Sequence, residues 1–164
     1  MNEIERKFLV TSVPNIPILS RYTSERYLLE SIEGTEERIT HIGDQYYYEL
    51  KRILSNTERT RDKREISEAR FNKLRERAYG QLRRETFIIK KRPKVVIQVY
   101  KDEFDGLMRA EVEFDSQEEA NNFQPSKWMG REITGLAIAR DSTLARMTRG
   151  ELLSSTEALW LTWE

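Results

Sequence analysis

The chain has 164 residues, 28 Lys+Arg against 28 Asp+Glu, no cysteine, and 34% charged beside 38% hydrophobic residues. The missing cysteines exclude disulfides, thiolate metal sites and thiol nucleophiles, and the balanced charge argues against a nucleic-acid-binding surface, which carries a basic excess. Three Trp, seven Tyr and six Phe separate the chain from disordered sequences of similar charge, and its length suits one domain.

The chain opens with MNEIERKFLV, which has no apolar core of a signal peptide. No apolar run reaches membrane-spanning length, so the expectation is a cytoplasmic protein without membrane contact. Residues 3–10 alternate as a strand, with Glu3, Glu5 and Lys7 on one face and Ile4, Phe8 and Val10 on the other beside Arg6. Further strands are predicted at 24–31, 36–42, 45–53 and 58–66, with Gly34 and Gly43-Asp44 marking turns. Residues 67–79 read as a helix capped by Ser67 and stopped by Gly80. Strands resume at 83–90, 94–101 and 107–114, followed by helices at 116–123 and 135–149 and a terminal docking segment ending ALWLTWE. Eight strands with late helices predict a single α+β domain over 1–164, an antiparallel β-barrel with helices packed outside and a helical, divergent part at 135–164.

Charge is sorted by face along these strands. Arg109, Glu111 and Glu113 share one face, with Ala110, Val112 and Phe114 on the other. Arg38 falls with Glu36 and Thr40, Lys51 with Glu49, and Arg61 with Lys63 and Glu65. Any one such strand is explained by a solvated polar face with cross-strand ion pairs. Two strands that each carry carboxylates two residues apart point further. Four carboxylates on one face favour a hard cation such as Mg²⁺ or Mn²⁺, and neighbouring Arg and Lys suit phosphate oxygens. The lone His41 reads as a turn or surface residue, Tyr46 to Tyr48 as packing plus a half-exposed edge, and Trp128, Trp160 and Trp163 as packing residues.

Glu-x-Glu-x-Lys at the N-terminus, followed in order by Tyr27-Leu28, Arg38, Lys51 and AEVEF, resembles the CYTH, or triphosphate tunnel metalloenzyme, family in its short bacterial form. The resemblance extends to about residue 134. It implies an eight-stranded tunnel that binds a triphosphate with Mg²⁺ or Mn²⁺. It assigns Glu3, Glu5, Glu111 and Glu113 to the metal and Lys7, Arg38, Lys51 and Arg61 to the phosphates. It makes Tyr27 one half of a Tyr-Lys pair that activates water; the Lys position falls near Arg84, with Lys90, Lys91 and Arg92 as alternatives. Arg84 cannot act as a general base at neutral pH. Gln98 stands where the family has an Asp, and could coordinate through its carbonyl. The family's C-terminal Arg-Tyr-x-Asn segment is replaced by Ile138-Ala139-Arg140-Asp141, and no site residue is taken from it.

The leading expectation is a metal-dependent triphosphatase acting on inorganic triphosphate or a related small triphosphate. A weakened triphosphate- or nucleotide-binding module is the alternative, and an adenylate cyclase ranks third. The expected partner is a small triphosphate or nucleotide, with no nucleic acid and no membrane; a homodimer is the one protein assembly considered.

Overall fold

The computed structural model describes residues 2–155. Eight antiparallel strands form a closed barrel in the order β1-β5-β4-β3-β2-β6-β7-β8. They are β1 (Asn2–Leu9), β2 (Ser20–Leu29), β3 (Thr35–Ile42), β4 (Gln45–Ile53), β5 (Glu58–Ile66), β6 (Ala78–Lys91), β7 (Lys94–Tyr100) and β8 (Met108–Phe114). Every strand predicted from sequence is present. The β3–β4 hairpin turns on Gly43, whose φ of 61° lies where glycine is at ease.

A closed barrel gives each strand an inside and an outside, and the apolar residues occupy three regions. Outside β1 and β8, Phe8, Val10, Ala110, Val112 and Phe114 pack with Ala120 of α2 (Gln117–Asn122). Outside β2 and β3, Leu29 and Ile39 pack with Phe71 and Leu74 of α1 (Glu68–Arg75). The third region lies inside one end of the barrel. There Leu9, Leu28, Leu82, Tyr100 and Leu107 meet Ile133, Ile138, Ala139 and Leu144, so residues 133–145 stopper that mouth.

Serine caps both outer helices, Ser67 accepting from the Arg70 amide and Ser116 from the Glu119 amide. The predicted helix 67–79 ends early, at Arg75, because Ala78 and Gly80 pair with Leu29 and Leu28 as β6 begins. Gly80 is not a helix stop. A Cβ there would lie 2.3 Å from the Ala145 carbonyl oxygen, so glycine is what lets the stopper close on the barrel wall. The expected helix at 135–149 is also corrected. A 3-10 turn at Ala137–Ala139, α3 (Asp141–Leu144) and α4 (Arg149–Ser154) replace it. Two interruptions account for this: Arg140 takes an extended conformation, and Thr148 starts a fresh helix through a capping box with Glu151. The terminal segment ending ALWLTWE, with Trp160 and Trp163, lies outside the described residues.

Gly80→Ala should destabilise the fold by about 1–3 kcal/mol, the usual cost of overpacking, read as a lower midpoint in urea denaturation. An unchanged midpoint would show that the stopper is loosely seated.

Candidate active site

The inner face of β1 presents Glu3, Glu5 and Lys7 and that of β8 presents Arg109, Glu111 and Glu113. Strand register sets Glu5 opposite Glu113 and Lys7 opposite Glu111. Directly opposed like charges cost stability, and Glu3 adds a third: single carboxylate oxygens of Glu3, Glu5 and Glu113 lie within 4.8 Å of one another. Glu5 Oε1 is buried without a hydrogen bond, although Lys7 and Arg59 approach it at 3.4 and 3.7 Å. Burial, followed by the charge of Glu3 and then of Glu5 and Glu111, raises the Glu113 pKa. A crowded, under-compensated oxygen cluster is the donor set a hard divalent cation takes, so these residues fit Mg²⁺ or Mn²⁺.

The fourth expected carboxylate behaves differently. Glu111 faces Arg109 at 3.5 Å and Lys7 and Arg84 at 3.9 Å. Burial raises its pKa, but these cations outweigh the effect and hold the carboxyl well below its usual range. The structure therefore places Glu111 among the cations and not in the three-carboxylate cluster. Gln98 is engaged with its neighbours on the wall. Its carbonyl accepts from Thr86 Oγ1 at 2.5 Å, and its amide donates to Glu111 at 3.4 Å.

Around the wall, Lys51 binds Glu3 at 2.8 Å, and Arg61 spans Glu3 and Glu49 at 3.2 and 2.8 Å. Arg38 is clamped between Glu49 at 2.5 Å and Glu36 at 2.8 Å. Burial raises the Glu3 pKa, but Lys51 and then Arg61 and Arg38 outweigh it, lowering the value to about 2. Burial and the neighbouring Arg38 lower the Lys51 pKa. Lys63 lies over the Tyr47 ring, 4.4 Å from its centroid, at the unstoppered end.

At the stoppered end the Asp141 carboxylate accepts from Arg26, Arg84, Arg109 and the Tyr100 hydroxyl. The cavity enclosed by this wall is small, about 80 Å³. It shares Glu3, Arg61, Lys94 and Glu113 with an outer cleft of about 940 Å³, which also takes in Lys91 and Arg92. The tunnel therefore opens at the β1 N-terminal end and is blind at the other.

Lys7, Arg38, Lys51 and Arg61 all line the tunnel as expected, and so does Arg84. Tyr27 does not. It faces outward, edge-on to Phe71 with ring centroids 5.7 Å apart, within the packing beneath α1. Adjacent strand residues point to opposite faces, so its neighbour Arg26 enters the tunnel instead. A Tyr27–Arg84 catalytic pair is ruled out by the sheet between them. Lys90, Lys91 and Arg92 are exposed and do not line the tunnel wall, so none fills the Lys position. Arg26, Arg59, Glu49 and Asp141 were not anticipated. Arg59 was legible from its alternation with Arg61, and Arg26 from its place opposite the face of Tyr27. Asp141 had no signal from alternation, because it opens the short helix α3; the one pointer was its place in the segment that replaces the family's Arg-Tyr-x-Asn.

No family model matches the chain. An inorganic triphosphatase from Nitrosomonas europaea is 30% identical over 137 residues, covering 82% of this chain and 90% of that protein. A solved structure of an inorganic triphosphatase superposes with a TM-score of 0.64 at 26% identity, over 88% of this chain and 95% of the other. A conserved hypothetical protein from Pyrococcus furiosus shares the fold, with a TM-score of 0.60 at 19% identity over 73% and 83% of the two chains.

Two outcomes follow from this electrostatic pattern. Glu113→Gln should raise the melting temperature of the metal-free protein by about 2–4 °C, the shift that 1 kcal/mol gives in a chain of this size, and should shrink the further rise produced by Mn²⁺. Glu3, Glu49, Glu111 and Asp141 all have lowered folded pKa values. Their stabilisation is complete above the ordinary carboxyl values, 4.5 for Glu and 3.8 for Asp, and is lost as pH falls toward the folded ones. Melting temperature should therefore decline steadily below about pH 4.5; a flat profile down to pH 3 would contradict the pairing described.

Proposed function

The chain belongs to the CYTH, or triphosphate tunnel metalloenzyme, family, and from that premise we propose that it hydrolyses inorganic triphosphate or a related small triphosphate in the tunnel, with Mg²⁺ or Mn²⁺. One observation carries the reading. Among the described residues, ten Lys and Arg but only six Asp and Glu line the inner cavity, a surplus of four positive charges, while three of those six carboxylates gather where a cation fits. An enclosed wall of this kind suits a flexible polyanion that arrives with a divalent metal. The relationship to the Nitrosomonas inorganic triphosphatase supports the same substrate.

Bound at Glu3, Glu5 and Glu113, the metal would supply charge neutralisation and a polarised water. The chain's own part is positional and electrostatic. Lys51, Arg38, Arg59 and Arg61 neutralise and align phosphate oxygens, exchanging carboxylate partners for phosphoryl ones. Glu111 keeps Lys7, Arg84 and Arg109 in place from behind. Phosphoryl transfer leaves little covalent work to the protein, so Tyr27 can lie outside the barrel without disabling the site.

The decisive assay measures phosphate release from inorganic triphosphate, ATP, GTP and thiamine triphosphate with Mg²⁺ or Mn²⁺. The expected result is turnover of inorganic triphosphate on the order of 1–1000 per second, abolished by a chelator. Glu5→Gln should lower metal-dependent turnover at least about tenfold, whereas Tyr27→Phe, remote from the tunnel, should stay within about twofold of wild type. Arg84, which stands where the family has a Lys and is bound to Asp141, favours a second reading, a tunnel that binds triphosphate without cleaving it. A melting-temperature rise with triphosphate and metal, together with no phosphate release from any substrate, would select that reading.

A further inference from the structure

The blind end of the tunnel holds an anion of the chain's own. Asp141, the first residue of α3, is 4% exposed. Its carboxylate lies 2.6 Å from the Tyr100 hydroxyl, 2.8 Å from Arg109, 2.9 Å from Arg26 and 3.3 Å from Arg84. The chain just before it adds two acceptors: the Ile138 carbonyl takes Arg109 at 2.9 Å, and the Ala139 carbonyl takes Lys7 at 2.8 Å. Three oxygen-bearing groups of one short segment thus engage the deepest cations of the tunnel.

Asp141 is charged and fixed. Burial raises its pKa, but Arg84, Arg109 and Arg26 outweigh that and keep the carboxyl well below its usual range. Ile138 and Leu144 on either side are fully buried, and Gly80 rests against Ala145. A ligand would have to unseat this packed stopper to displace the carboxylate.

A single orthophosphate drawn toward Arg26, Arg84 and Arg109 would meet a negative charge already in place, in an end where water screens poorly. A chain of several phosphates loses less, because Lys51 and Arg61, which pair with Glu3 beside the outer cleft, hold its remaining units nearer the mouth. We propose that Asp141 is a specificity-determining internal anion: it fills the position in which one phosphate would lodge, and so biases the tunnel toward phosphate chains and against orthophosphate. The inference rests on the reading of the tunnel as a polyphosphate site.

The test is isothermal titration calorimetry without metal, using inorganic phosphate and inorganic triphosphate against wild type, Asp141→Asn and Asp141→Glu. Asp141→Asn should bind inorganic phosphate at least about tenfold more tightly than wild type, with a smaller gain for triphosphate. Asp141→Glu should keep the wild-type discrimination. The sign is diagnostic, since loss of a mere structural anchor would weaken both ligands. Folding is checked by circular dichroism, with Asp141→Ser as a second neutral variant. Unchanged or weaker phosphate binding in a folded neutral variant overturns the inference. So does phosphate binding by Asp141→Glu as tight as by Asp141→Asn, or failure of both neutral variants to fold, which would assign Asp141 to structure. Should wild type fail to bind inorganic triphosphate even after Mg²⁺ is added, the polyphosphate reading itself falls; should wild type bind it while the neutral variants gain nothing on phosphate, only this inference falls.

Discussion

Closing eight strands into a ring forces every second side chain into one shared volume, and here most of that volume is charge. Buried ions are tolerated only when opposite ions or hydrogen bonds replace the lost water. That requirement organises the inner wall. Glu49 is held by Arg38, Arg61 and Lys63, Glu3 by Lys51 and Arg61, and Asp141 by three guanidiniums. The apolar faces are left for the outside of the sheet, covered by α1 and α2, and for the stopper, which carries the short α3.

The compensation is uneven, and the unevenness defines the site. Glu3, Glu49, Glu111 and Asp141, each beside cations, have lowered pKa values, while Glu113, facing Glu5 and close to Glu3, has a raised one. Positive charge is in surplus overall yet locally short at that cluster. A metal and a polyanion together would correct both imbalances, which neither could do alone. Charge bookkeeping of this kind links the sequence pattern to the chemistry more directly than any single residue does.

Alternation made the barrel legible before its structure was known. A period of two in 3–9 and in 109–114 put Glu3 with Glu5 and Glu111 with Glu113 on shared faces, and the same rule sorted the charges around Arg38, Lys51 and Arg61. Period alone says which residues share a face but not which face is inside, and it says nothing of neighbours across the barrel. The resemblance gave Tyr27 a role in the site although its neighbour Arg26 is the one that enters the tunnel, and Glu111 was grouped with the other carboxylates although the structure surrounds it with cations. Position 141 follows a 3-10 turn and opens the four-residue α3, elements too short for a periodic rule to apply. His41 shows the limit on a smaller scale: read as a turn or surface residue, it stacks on Tyr46 with centroids 4.4 Å apart beside the α1 packing.

The stoppered mouth also imposes a queue. A tunnel with one opening admits and discharges along the same line, so fragments of a cleaved chain leave in the reverse of the order in which their atoms went in. The outer fragment departs first, into the wide cleft beside Lys91 and Arg92. The inner fragment, last to go, holds the tunnel empty of its successor and competes directly with the next substrate, whereas the outer one does not. Product-inhibition patterns would then be set by the stopper, a feature remote from the carboxylates at which the metal fits.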